Sequence, residues 1–258
     1  MKKYKISVCI ISRPKEDLKK LMWSLKRQTY KPFEIVIHKE IGEFSKLRNK
    51  VIDKSKGEII AFIDADCYAS KYWLEEMNEV FQDKKIIGVW GRTSYELFGI
   101  NPSISTRIVN NDGQGVSTSN AGFRAKILKK VKFDEYTNCN EDWIINERLK
   151  KYGKLIFNGD LIVFHMNQKW AFRNMIKHAT YIDDVLKGYI KYGTPVERWG
   201  FIIQPKQLLV ILFPPLILLT HSIRSWYDLK ITLASLLEKY YTRWLIWRFS
   251  IKNKVFLL

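Results

Sequence analysis

Two carboxylates one residue apart, Asp64 and Asp66, close the apolar run Glu58-Ile59-Ile60-Ala61-Phe62-Ile63. A short run rich in β-branched and aromatic residues predicts a buried strand. Both acids then stand at a strand's C-terminal end, where open α/β sheets bind ligands. Two acids so placed repel unless a cation is near, and Mg2+ characteristically takes one or two carboxylates together with substrate phosphates. A plain turn is the alternative, because Asp is common in turns. A second acidic pair, Glu141-Asp142, precedes Trp143 at the predicted start of a helix. Acids also occur there simply because they complement the helix dipole.

The elements that must position these acids alternate between strand and helix through the first 165 residues, which predicts an α/β fold with a largely parallel sheet. Strands are predicted over 6–11, 33–37, 59–63 and 86–90, with two late ones over 155–157 and 161–164. Pro14 is expected to open the first helix, whose Leu18, Leu21, Met22 and Leu25 share a face. Leu47, Val51 and Ile52 mark the second helix. Ser70 is the expected N-cap of the third, with Leu74, Met77 and Phe81 at helical spacing. A short helix runs through Ile127 and Leu128, and the helix opened by Glu141 is closed by Gly153. The stretch 94–119, rich in Asn, Ser, Thr and Gly, reads as a long binding loop.

The chain has 258 residues, 47% of them hydrophobic, and a formal net charge of +18. That supplies ample core and demands an anionic partner: nucleic acid, an anionic membrane surface or a phosphorylated substrate. The three cysteines, Cys9, Cys67 and Cys139, lack zinc-site spacing and read as reduced thiols of a cytosolic compartment. Met1-Lys2-Lys3 leads straight into a strand pattern, which argues against a signal peptide.

Residues 166–258 differ from the rest. They hold Trp170, Trp199, Trp226, Trp244 and Trp247, many Lys and Arg, and few acids. The apolar run 208–219 is split by Pro214-Pro215. It is shorter than the ~20 residues a spanning helix needs, and extending it back to Phe201 takes in Gln204, Pro205, Lys206 and Gln207. Leu229 to Phe249 mixes charges with Leu, Ile and Trp, an amphipathic pattern. The expected organisation is an α/β domain over 1–165 and a basic, Trp-rich helical region over 166–258 that lies in a membrane interface. A helical subdomain packed on the core is the alternative. Basic residues interleaved with long aliphatic runs suit lipid better than a nucleic-acid backbone, so no nucleic-acid partner is expected.

Taken in order, the segments resemble family 2 glycosyltransferases of the GT-A fold. The stretches that carry the resemblance are Ser24-Leu25-Lys26-Arg27-Gln28-Thr29-Tyr30, Arg48-Asn49, Gly57 through Asp66, Asn120-Ala121-Gly122-Phe123-Arg124, Phe133-Asp134-Glu135, Glu141-Asp142 and Val163-Phe164-His165. The resemblance implies a Rossmann-like, mostly parallel central sheet and a nucleotide-sugar donor. It implies that Mg2+ or Mn2+ bridges the donor diphosphate to Asp66, with Asp64 nearer the ribose or sugar. Ser12, Arg13, Glu40 and Arg48 complete the implied donor side, and His165 is a candidate second metal ligand or a structural histidine. Asp142 is the implied general base of an inverting transfer, with Asn120, Arg124, Glu141 and Trp143 on the acceptor side or in support. His38, His178 and His221 read as structural.

The chain departs from the family where many members carry paired aspartates after the second strand. Here the stretch is His38-Lys39-Glu40, so the nucleotide base stays undetermined. Pro195-Val196-Glu197-Arg198-Trp199 has the end of the processive family motif without its glutamine. Transfer of a single sugar is therefore expected. The tail points to a lipid-linked acceptor, a polyprenyl phosphate or diphosphate glycan, at the cytoplasmic membrane face. A soluble acceptor, or a catalytically silent scaffold of the same fold, is the alternative.

Overall fold

The computed structural model describes residues 1–96, 106–109, 116–136, 141–166, 180, 182–192, 212–216 and 225–254. The chain divides into two compact units, Met1–Lys169 and Trp170–Leu258.

The first unit is built on an eight-stranded sheet in the order β2-β1-β3-β7-β5-β8-β4, with β6 paired to β5. The strands are β1 (Ile6–Ser12), β2 (Phe33–Lys39), β3 (Ile59–Ile63), β4 (Cys67–Ala69), β5 (Ile86–Glu96), β6 (Thr106–Val109), β7 (Asn120–Arg124) and β8 (Lys154–His165). β1 pairs in parallel with β2 and β3, and β5 with β8. β7 runs antiparallel between β3 and β5, so β1, β2, β3, β5 and β8 all point the same way. β4 and β6 point back along β8 and β5.

β3 shows why the sheet is covered on both sides. All five of its residues are buried, and they alternate between two cores, as strand side chains must. Ile59, Ala61 and Ile63 pack with Leu21 and Leu25 of α1 (Lys19–Lys26) and with Trp73, Leu74 and Met77 of α3 (Trp73–Val80). Ile60 and Phe62 pack on the other face, with Val51 and Ile52 of α2 (Phe44–Lys54), Leu128 of α4 (Ala125–Val131), and Ile145 and Leu149 of α5 (Glu141–Leu149). Continuing the alternation sends Asp64 toward the α2 and α5 side and Ala65 into the α1 and α3 core, where it is found.

Several boundaries differ from the sequence expectation. The first helix starts at Lys19 rather than at Pro14. A turn intervenes, with the Glu16 amide donating to the Arg13 carbonyl and the Arg13 amide to Glu16 Oε2, before Asp17 Oδ1 receives the Lys19 amide. Ser70 does not cap α3 through its side chain; its carbonyl instead receives Gln28 Nε2 and the Trp73 amide. The two late strands are one, β8. Its pairing with β5 jumps from Asn158 opposite Gly91 to Ile162 opposite Arg92, so the Asn158–Asp160 turn chemistry makes a bulge rather than a break. Part of the expected 94–119 loop is strand: β5 runs to Glu96 and receives β6. Residues 97–105 and 110–115 of that stretch lie outside the described residues.

In the second unit, α6 (Ile182–Tyr192) and α7 (Trp226–Asn253) share a small core of Leu186, Ile246 and Phe249, with Ile182 against it. Pro214–Leu216 forms a single 3-10 turn, and residues 201–211 and 217–219 lie outside the described residues. Among the described residues no helix is long and apolar enough to cross a membrane.

Candidate active site

The chain reverses immediately after β3: the Cys67 amide donates to the Asp64 carbonyl at 3.0 Å. β4 then pairs with the end of β8, Cys67 directly opposite His165 and Tyr68 opposite Phe164. The Met166 amide donates to the Asp66 carbonyl at 2.8 Å and locks the turn against β8. Cross-strand partners present side chains to one face, so Cys67 and His165 lie side by side. His165 Nε2 stands 3.4 Å from Asp66 Oδ1. One donor atom from each of Asp64, Asp66, Cys67 and His165 lies within 4.8 Å of the others. Two carboxylates, an imidazole and a thiol gathered this tightly fit a divalent cation.

Electrostatics support that reading. Burial raises the Asp64 carboxyl above its ordinary range, and the neighbouring Asp66 charge adds to this while Arg48 and His165 oppose it. Asp66 is raised too, mainly by burial, although its side chain remains 49% exposed; His165 and Arg13 pull it back. Burial also raises the Cys67 thiol, and the two aspartates reinforce the shift. All three groups therefore resist ionising together, and a cation is the charge that would relieve them.

Across the α2 and α5 face, Arg48 and Glu141 form a buried ion pair between Arg48 Nη1 and Glu141 Oε1. The Arg48 guanidinium also lies over the rings of Phe44 and Phe133, at 5.4 and 5.6 Å. Its neighbour Asn49 clamps the approach to α5. Asn49 Nδ2 donates to the Phe133 carbonyl and to Glu135, and Asn49 Oδ1 receives the Phe133 amide. α2 thereby fixes the start of α5, where Asp142 follows Glu141. Asp142 is pushed from 3.8 up to about 7, chiefly by burial and then by Glu141, with Arg48 opposing. Arg48 acts on both Asp64 and Asp142, so its charge joins the strand-end acids to the helix-start acid.

The other expected site residues divide by partner. Ser12 ends β1 beside Lys39 and gives its hydroxyl to the Arg13 carbonyl. Glu40 is held by Lys50 Nζ at 2.5 Å and His38 Nε2 at 2.7 Å. Asn120 is fully buried and bonds three elements, receiving Trp73 Nε1 and donating to the Arg92 and Leu161 carbonyls. Arg124 donates to the carbonyls of Phe81, Asp83 and Ile86. Trp143 is half-buried, and its amide donates to Asp142 Oδ1 at 2.8 Å. Cys67, taken from the sequence as an ordinary thiol, turns out to stand among the donors. Its place directly after Asp66 was the available signal.

Residues 36–153 match Glycosyl transferase family 2, a stretch that begins in β2 and ends just before β8. Over that stretch the chain is similar to family 2 glycosyltransferases. It is also similar in structure to a crystal structure of S. aureus TarS residues 1–349 in complex with UDP-GlcNAc. The TM-score is 0.51 at 14% identity, over 79% of this chain and 77% of that one. A second crystal structure of the same TarS piece gives 0.50 at 15% identity over the same shares. At that identity the likeness establishes the fold, a mixed α/β sheet of the GT-A type. No curated protein matches the sequence. Asp64 and Asp66 both belong to the matched stretch, as do Arg48, Glu141 and Asp142.

Proposed function

We propose that this protein is a glycosyltransferase that moves a single sugar, with inversion, from a nucleotide-sugar donor to an acceptor hydroxyl. The carrying observation is that Arg48 links two acidic centres, Asp64 at the end of β3 and Glu141-Asp142 at the start of α5. Such a pair of centres matches the two demands of the reaction: one for the leaving group, one for the nucleophile. Asp142 takes the proton of the acceptor hydroxyl as its oxygen attacks the anomeric carbon. The glycosyl–phosphate bond breaks, and its electron pair leaves with the nucleoside diphosphate. A base raised to about 7 is matched to neutral pH, where it is both available and strong enough to accept the proton.

Asp66 and His165, with Asp64 and Cys67 beside them, are the residues that would hold Mg2+ or Mn2+. Such an ion neutralises charge on the departing diphosphate. Arg13 and Ser12 border the same strand ends and are assigned to the donor. The TarS complex holds UDP-GlcNAc, which makes a UDP-sugar the first donor to test. The acceptor is assigned to a lipid-linked glycan at the cytoplasmic membrane face, supported by the +18 charge and the Trp-rich, basic second unit.

The test is Asp142→Asn assayed with Mn2+ and UDP-GlcNAc. The expected result is intact donor binding and loss of transfer by more than about a hundredfold, the range of a lost general base. Transfer near the wild-type rate overturns the role of Asp142.

A further inference from the structure

α7 carries two apolar faces, one buried and one exposed. Leu245, Ile246 and Phe249 are buried, the latter two with Leu186. At ~3.6 residues per turn, the opposite side of the helix presents Leu233, Leu237, Tyr240, Trp244, Trp247 and Ile251. Their spacing is four and three in strict alternation, and all six are exposed, Ile251 at 80%. Trp226, two turns before Leu233, extends the same line and is 74% exposed. The stripe is about 38 Å long at ~1.5 Å per residue. An apolar line of that length facing water marks a contact surface.

The charges beside the stripe choose the occupant. Lys230 and Arg248 border it and Lys252 lies next to them, all exposed. No acidic residue of α7 falls in the stripe, and Glu238 sits on the packed side; Asp183 of α6 stands 3.4 Å from the Arg248 guanidinium. A second copy of the helix would set Lys230 and Lys252 against one another, with Asp183 answering only Arg248, whereas paired helices use complementary flanking charges. Tryptophan and tyrosine flanked by Lys and Arg suit the boundary between anionic headgroups and acyl chains.

We infer that the Trp226–Ile251 stripe of α7 is the surface on which the protein rests in the plane of an anionic bilayer. This names the face used, and rests on the membrane-face part of the function proposed above. Aromatic side chains enter the boundary, and Lys230 and Lys252 meet lipid phosphates, while Arg248 is held by Asp183.

The test is flotation of the full chain with vesicles of phosphatidylcholine alone or of equal parts phosphatidylcholine and phosphatidylglycerol. Wild type is expected to float only with the anionic vesicles. Trp244→Ser/Trp247→Ser and Lys230→Gln/Lys252→Gln are each expected to weaken binding about tenfold or more, with thermal midpoints unchanged because these side chains are exposed. Stripe variants that float like wild type overturn the inference but leave membrane seating by another surface standing. Wild type that ignores both vesicles and runs as a dimer, which Trp244→Ser/Trp247→Ser dissociates, overturns it in favour of a second copy. Loss of flotation with undiminished transfer to a soluble acceptor upholds the stripe and removes the lipid-linked acceptor instead.

Discussion

Replacing Asp142 with Asn removes a carboxylate that the fold holds at a cost. Its pKa rises from 3.8 to about 7 on folding, so the native state binds a proton more tightly than the unfolded chain. Between these values the native state is the more protonated, and stability falls as pH rises. The penalty is absent below pH ~4 and complete above pH ~7. A rise of that size, at 1.36 kcal/mol for each tenfold change in proton affinity, sets an upper limit of about 4 kcal/mol. An amide is itself costly to bury, which leaves about 2 to 4 kcal/mol. Asn keeps an Oδ1 that can accept the Trp143 amide, so the local backbone need not move. Urea denaturation of wild type and Asp142→Asn at pH 5 and pH 8 measures the difference. The variant is expected to be more stable at pH 8, with much of the advantage gone at pH 5. Equal stability at pH 8, or an advantage that does not change with pH, refutes the argument that burial and Glu141 strain this carboxylate.

Three other outcomes are expected. Arg48→Ala strands Glu141 in a buried position and costs about 3 kcal/mol or more, whereas Arg48→Met/Glu141→Leu recovers much of it; additive losses in urea titrations would contradict the buried pairing. Asn120→Ala leaves Trp73 Nε1 and the Arg92 and Leu161 carbonyls without their partner, a loss of about 3 kcal/mol or more readable as a lowered denaturation midpoint. Asn120→Asp fares no better, because a carboxylate cannot donate to two carbonyls. Mn2+ binding by calorimetry weakens about tenfold or more in His165→Ala, and unchanged affinity says the imidazole is not a ligand.

β3 and its terminal acids were readable because five consecutive apolar residues specify a buried strand without reference to anything distant. The same local logic found α5 and the place of Asp142 on it. What escaped depended on pairing across the chain. Cys67 joins His165 only because a three-residue strand, β4, pairs antiparallel with the end of β8, and a segment that short carries little periodicity. Arg48 offers no local sign that its partner is Glu141, ninety-three positions on. The β8 bulge was misread as a break because Asn158, Gly159 and Asp160 have turn chemistry. β5 accommodates it at Gly91, where a Cβ would stand 2.1 Å from the Leu161 carbonyl oxygen.

The dependence of the Asp66 turn on β8 also sets an order of events during synthesis. Asp64 and Asp66 leave the ribosome about a hundred residues before His165 and the Met166 amide that fasten them. Until then the two acids repel each other with no imidazole beside them, and the donor set is incomplete. A nascent chain halted short of Met166 has the acids but not the clasp. The site therefore closes late, after nearly all the rest of the first unit has been made.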